Sequence, residues 1–269
     1  MTDQPDALFQ IGQKRIIGMV HLPPLPGTPF YRQEPMAAFC ATAVADARAL
    51  EAGGASGCLI QTVDRVYAAE CDPARLAALT LIAAAVVEAT RPDFIVGIQI
   101  MKNALEASIA VAKVVGADFV RATAFIGATN SQFGVLRGDP YRLLSYRKQI
   151  GAESVAIVAD IRTQHFSWAE GTPPLGRIAK WAKEAGADAV CVGDPDDAVT
   201  LALLGEIRSR VPDLPVVISG HTTPTNAAQL LPAAEGAFVG TCLQRSGWSG
   251  RIDESLVRAY MASVRGALL

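Results

Sequence analysis

The stretch 214–241, LPVVISGHTTPTNAAQLLPAAEGAFVGT, decides how the chain is read. Val216, Val217 and Ile218 form a short apolar run that stops at Ser219-Gly220. A continuous apolar run suits a parallel strand covered on both faces. Thr223-Pro224 then has the form of a helix N-cap followed by proline at the first helical position. A second apolar run, Ala237-Phe238-Val239, stops at Gly240-Thr241. Two consecutive strands therefore each end in glycine beside a hydroxyl residue.

Outward from this stretch the same unit repeats. The turns into strands resemble one another: EAGGASGCLI at 51–60, VVGADFV at 114–120, QIGAESVAIV at 149–158 and EAGADAVCV at 184–192. Gly116, Gly151 and Gly186 each suit a left-handed helix C-terminus followed by a buried strand. The opposite turns carry proline near the helix start, at Pro35, Pro73, Pro140, Pro195 and Pro224. Eight strands are expected, at 15–22, 57–63, 94–101, 118–125, 154–161, 187–193, 214–219 and 236–241. Helices are expected at 35–53, 73–90, 103–115, 139–150, 174–185, 195–210, 224–233 and 253–265. Alternating strands and helices imply βαβ units and a parallel sheet. Eight units in 269 residues point to an α/β fold, one (β/α)8 barrel over 1–269 with an extension at 1–14. A doubly wound open sheet is the alternative. Three strand-to-helix loops are long, 23–34, 126–138 and 162–173, and all belong to the face where such barrels keep their sites.

Composition sets further bounds. Half the chain is apolar and the net charge is −2, with no run of Lys or Arg. Nucleic acid and anionic membranes are poor partners for such a chain. The five cysteines are odd in number and lack CxxC spacing, which suits a reducing, cytoplasmic setting. No signal peptide is read at the start. The longest apolar stretch, Leu76 to Val87, is too short to span a bilayer and reads as a buried helix. Composition is silent on assembly; a homo-oligomer is compatible with it.

On the barrel's expected site face, each of the three histidines follows a strand end: His21, His165 and His221. Lys102, Arg121 and Arg162 join them, with Asp64, Asp160 and Asp194 as the acids. Arg121 sits in the apolar DFVRATAF and demands a partner. That partner is Asp160 on the adjacent strand, an anionic ligand, or both. Asp160, held at the end of SVAIVAD, is a candidate general base. His21 and His165 are candidate proton carriers. Lys102 and Arg121 are candidates to stabilise an oxyanion or enolate. Ser219, Gly220, Gly240 and Thr241 are candidates to grip phosphate, with His221 and Asn103 as further ligand contacts. The histidines share no HxH or HxxxH spacing, so no metal site is expected, and no cofactor.

IIGMVHLPPLPGTP at 16–29 resembles the opening signature of the BtpA family of barrel proteins, which includes the SgcQ-like proteins. DARALEAGGASG at 46–57, GADFVRA at 116–122, YRLLSYRKQIGA at 141–152, SGHTTPTN at 219–226 and EGAFVGT at 235–241 agree in order. The resemblance implies a barrel related to phosphate-binding sugar and nucleotide enzymes. The family is tied by name to photosystem I biogenesis, and some members carry a nucleosidase label. Gln61, Ala104 and Gln132 stand where that family usually carries acids, so this chain resembles a divergent member with fewer carboxylates on the site face. Hard divalent metals favour carboxylate oxygens. The expected activity is therefore metal-independent chemistry on a small phosphorylated or otherwise anionic sugar- or nucleoside-like substrate, by an isomerase, lyase or glycosidic-bond hydrolase. The alternative is a non-catalytic assembly or stability factor built on an enzyme-derived barrel.

Overall fold

The computed structural model describes residues 8–68, 70–169, 171–247 and 250–266. Eight parallel strands close a barrel: β1 (Arg15–Leu22), β2 (Gly57–Thr62), β3 (Ile95–Gln99), β4 (Phe119–Ala122), β7 (Ala156–Arg162), β8 (Ala189–Val192), β9 (Val216–Ser219) and β10 (Gly236–Val239). Neighbours in sequence are neighbours in space, and β10 pairs with β1. The missing numbers are a two-stranded antiparallel hairpin, β5 (Ala128–Ser131) and β6 (Gly134–Arg137), inserted after β4.

Helices alternate with the barrel strands: α1 (Met36–Gly53), α2 (Pro73–Ala89), α3 (Leu105–Val115), α4 (Pro140–Gln149), α5 (Leu175–Glu184), α6 (Asp197–Arg210), α7 (Ala227–Leu230) and α8 (Glu254–Gly266). Asp72 and Asp139 cap α2 and α4 through side-chain acceptors, each with proline next in sequence. Gly116, Gly151 and Gly186 have the left-handed φ values expected of them, 75°, 64° and 97°. The expected helix over 224–233 is shortened and irregular: a turn over 224–226, then α7 and a 3-10 turn. Thr223 does not cap it; the Thr223 amide instead donates to Asn226 Oδ1 at 2.7 Å, and α7 begins only at Ala227. Pro232, which lacks an amide proton, then leaves only a 3-10 turn over Leu231–Ala233. The hairpin replaces the plain loop expected at 126–138.

The core has two layers. The larger lies between strands and helices, and the smaller fills the barrel with Ile17, Met19, Leu59, Ile95, Phe119, Val158, Cys191, Val217 and Phe238. Inward residues follow a period of two along each strand. Phe119 stacks on Phe238 with centroids 6.0 Å apart. Its ring also lies across Gly97, where an added Cβ would stand 2.1 Å from Phe119 Cζ. Phe9, from the segment before β1, meets Phe119 edge-on at 6.3 Å and is buried against this inner layer. Of the 1–14 extension, residues 1–7 lie outside the described residues. Among the described residues no helix is long and apolar enough to cross a membrane. Cys58 and Cys191 are buried and Cys242 lies in a 3-10 turn; these and Cys40 and Cys71 are free thiols.

Candidate functional site

Followed toward the strand C-termini, the same inward positions turn polar. Two residues beyond Leu59 comes Gln61, beyond Gly97 comes Gln99, beyond Phe119 comes Arg121, beyond Val158 comes Asp160, and beyond Val217 comes Ser219. Gln61 donates to Gln99 Oε1 at 2.6 Å, and Gln99 donates to Thr123 Oγ1 at 3.2 Å. Arg121 donates through Nε to Asp160 Oδ1 at 3.0 Å and through Nη2 to Asp160 Oδ2 at 3.2 Å. Nη2 also donates to Ser219 Oγ at 2.6 Å. The underside of the guanidinium is supported by the Phe238 ring, 4.9 Å from its centroid. A guanidinium held by a fork, a hydroxyl and a ring has one orientation.

Above this floor opens a cleft of about 240 Å³, lined by Met19, His21, Gln61, Val63, Tyr67, Met101, Arg121, Gln164, His165, Ser219, Gly220, Phe238 and Gly240. Arg121 is 4 % exposed, and that edge belongs to the cleft. Its Nη1 takes no part in the bonds to Asp160 and Ser219. His21 Nδ1 lies 3.3 Å from the Gln244 amide. Burial pushes His21 down to about 4, helped by the nearby charges of His165 and Arg121 and opposed by a hydrogen bond with Gln61. Burial also lowers His165, with Arg121 pulling the same way and Asp160 against it. Both rings are therefore neutral near pH 7, available as proton acceptors or neutral hydrogen-bond partners and not as fixed cations.

All three histidines stand at the C-terminal rim, but only His21 and His165 line the cleft. His221 is exposed on a left-handed backbone, φ 60°, and its carbonyl accepts from Asn226. Thr241 is exposed at the start of a 3-10 turn and does not line the cleft. Ser219, Gly220 and Gly240 line the cleft, but the Gly220 amide is occupied: it donates to Phe238 O at 3.1 Å, extending the β9–β10 ladder by one residue. That amide is not a free phosphate donor. Asp160 sits below the cleft, 1 % exposed, with Thr163 Oγ1 as a further donor at 3.2 Å. Asn103 clips the chain to Ala124, donating to its carbonyl at 2.9 Å and accepting from its amide at 2.8 Å. It borders a separate hollow with Glu106, Arg137 and Arg142. Lys102 is not in the cleft lining but follows Met101, which is, and its Nζ lies 5.0 Å over the Phe133 ring.

The expected excess of positive charge is smaller than the residue count suggests. Arg121 is paired with Asp160, and Arg162 reaches Asp194 at 3.3 Å. Among the described residues no three of His, Cys, Asp or Glu converge as a metal site. Sequence reading missed Tyr67, Gln164 and Gln244, for which loop sequence gives no period. Gln61 and Gln99 carried a legible signal: polar residues at the inward phase of apolar strands.

The BtpA family model matches residues 12–266, and the chain belongs to that family. It is 31 % identical over 258 residues to an uncharacterised protein of Archaeoglobus fulgidus, covering 94 % of this chain and 100 % of that one. It is 30 % identical to the photosystem I biogenesis protein BtpA of Synechocystis, over 97 % of this chain and 92 % of the relative. Among solved structures, one described as native KDPGal aligns with TM-score 0.59 at 17 % identity, covering 95 % and 98 % of the two chains. N-(5'-phosphoribosyl)anthranilate isomerase from Pyrococcus furiosus aligns with TM-score 0.54 at 13 % identity, covering 94 % and 100 %. At such identities these structures speak to the barrel alone.

Proposed function

We propose that this BtpA-family chain is an enzyme that moves a proton on a small anionic, sugar-like substrate bound in the cleft at the barrel mouth. One observation carries the reading: two imidazoles held neutral line the same small cleft as a guanidinium fixed from below. A buried arginine whose pairing leaves one edge facing a cleft suits a phosphate or carboxylate, or an oxyanion that develops in the reaction. The cleft, about 240 Å³, falls below the roughly 300–1,000 Å³ that holds drug-sized ligands, so the substrate is small.

In this scheme an imidazole of His21 or His165 takes a proton from a carbon beside a carbonyl, and Arg121 stabilises the enolate oxygen. Returning the proton to a neighbouring atom completes an isomerisation; loss of a β-leaving group completes a lyase reaction. Asp160, with both oxygens engaged, acts as a positioning residue that fixes Arg121 rather than as the base. Binding an anion beside the histidines favours their protonated forms, so ligand binding takes up protons at pH values below the ordinary imidazole value.

The test is a thermal-shift screen of small sugar phosphates and hydroxy acids, followed by histidine NMR on each hit. A ligand at 100 times its dissociation constant raises stability by about 2.7 kcal/mol. Hits are expected to move the His21 and His165 signals and to lose affinity in Arg121→Met. Hits that leave both signals in place would remove the cleft as the site.

The name of the Synechocystis relative favours a second reading, a non-catalytic assembly factor. That reading expects His21→Gln and Arg121→Met to complement a strain lacking such a factor as well as the wild-type chain does.

A further inference from the structure

The hairpin β5–β6 carries residues whose placement the barrel alone does not require. Its two-residue turn, Gln132-Phe133, is fastened by Ser131, whose Oγ accepts from the Phe133 amide at 3.1 Å and donates to Gly134 O at 2.8 Å. The turn presents Phe133 to the cleft's edge. The Phe133 ring meets Tyr67 edge-on with centroids 5.3 Å apart, and Tyr67 lines the cleft. Lys102 places its Nζ 5.0 Å over the same ring, and Met101, its neighbour in sequence, also lines the cleft.

The base of the hairpin is braced against the loop that carries His165. Ala169 donates to Ala128 O at 2.9 Å, and the Ser167 amide donates to Thr129 Oγ1 at 3.1 Å. The Trp168 indole lies so close over Gly127 that a Cβ there would stand 2.5 Å from Cη2. Hairpin and His165 loop thus form one braced wall on one side of the mouth. Burial lowers Lys102, and its charge adds the smallest part to the lowering of His165.

We infer that Lys102, held in place by Phe133, is the residue that binds the phosphate group of the substrate, and that the hairpin is the wall completing this part of the site. The inference rests on the reading that the cleft takes a small anion. An ammonium has three donors, and a ring occupies one face of it while leaving other donors for a ligand. A compact point charge suits a phosphate, while Arg121, held rigidly on the barrel axis, suits the reacting oxygen deeper in the cleft. This division replaces a grip by the Gly220 amide, which the β9–β10 ladder already uses.

The probes are ribose 5-phosphate and inorganic phosphate, titrated by calorimetry and by histidine NMR into wild-type, Lys102→Met and Phe133→Leu proteins. Lys102→Met is expected to weaken both probes by roughly tenfold or more. Phe133→Leu, which keeps Lys102 and deletes the ring quadrupole, is expected to weaken them by about two- to fivefold. It carries the test alone if Lys102→Met fails to fold. In the ligand-free variants the His21 signal is expected where it stands in the wild type, which separates lost binding from a disturbed barrel. Wild-type affinity in both variants, with His165 still responding to the probe, would overturn the assignment to Lys102 and leave the cleft reading intact. A wild-type protein whose histidines ignore both probes would overturn the inference together with the reading beneath it.

Discussion

Among the described residues two arginine–aspartate pairs are buried on both sides, and they do different work. Arg75 on α2 meets Asp64 after β2, and its Nη2 also donates to Thr62 Oγ1 at 2.6 Å and to Met101 O at 2.8 Å. Asp64 accepts in turn from the Leu25 amide, so this pair ties α2, the end of β2, the loop after β1 and the end of β3 together. Neither Arg75 nor Asp64 lines the cleft. Arg121 and Asp160 are equally buried, yet Arg121 shows an edge to the cleft beneath two neutral histidines. Burial of an ion pair is thus no mark of function by itself. What separates the two is access: one pair ties segments of the scaffold together, and the other guanidinium has a side left for a ligand.

The largest effect expected follows from the walled-in pair. Arg75→Met deletes the charge and leaves Asp64 buried alone, at a cost of about 3–5 kcal/mol. At roughly 2–4 °C per kcal/mol for a chain of this size, melting falls by about 6–20 °C. Ligand affinity, measured well below that melting point, is expected to stay as in the wild type. A loss of affinity equal to that of Arg121→Met would erase the distinction between the pairs.

Arg121→Met is expected to cost less stability, about 2–3 kcal/mol, because water from the cleft can reach the abandoned Asp160 carboxylate. It is expected to lose ligand binding as well. The double variant Arg121→Met/Asp160→Leu sharpens the point: it removes the lone charge, so melting is expected to recover while binding does not. Recovery of both would demote Arg121 to a structural residue.

The histidines give the cleft a pH dependence opposite in sign to that of the α2 pair, where burial raises Asp64. His21 has a folded value of about 4 against an ordinary 6.5, lowered first by burial, so the folded state binds fewer protons than the unfolded one between these values. Stability is therefore full above pH 6.5, declines as pH falls, and levels off below about 4. The decline attributable to His21 is at most ~3 kcal/mol, at 1.36 kcal/mol per pH unit. His21→Gln is expected to flatten the melting-temperature profile between pH 6.5 and 4, and Arg75→Met to lower it most at neutral pH, with partial recovery in acid as the stranded Asp64 takes up a proton.

How far the sequence discloses these features depends on the period involved. The eight strands and most helices were legible because apolar runs, aspartate caps and left-handed glycines repeat along the chain. The strand limits at Arg15–Leu22 agree with expectation to the residue. The Arg121–Asp160 contact was legible because a lone guanidinium in DFVRATAF needs a neighbouring acid. The hairpin was not: NSQFG reads as loop, and two four-residue strands with Thr129 as their one buried residue leave no apolar alternation. Nor was the clip between Asn103 and Ala124, since a side chain that satisfies a distant backbone looks in sequence like any ligand contact. Proline at a helix start misled at Pro224, where the Thr223 amide is taken by Asn226 before a helix can begin.

The smallest effect expected separates cleft from scaffold at matched strain. Gly220 and Gly116 share a left-handed backbone, φ 73° and 75°, and a Cβ added at either meets nothing within 4 Å. Alanine at either therefore pays the same penalty, about 1 kcal/mol for a side chain in that region, and no clash. The two melting temperatures are expected to fall together, by a few degrees. Their surroundings differ, because Gly220 lines the cleft and Gly116 ends α3 on the outside of the barrel. The methyl of Gly220→Ala occupies space a ligand uses, so affinity for a cleft ligand is expected to drop while Gly116→Ala binds as the wild type does. The drop is expected to be modest, a few-fold, since one methyl can be partly accommodated by a shift of the ligand. Equal affinities in the two variants would place the ligand away from Ser219-Gly220 and toward the opposite wall, where Tyr67, Lys102 and Phe133 stand.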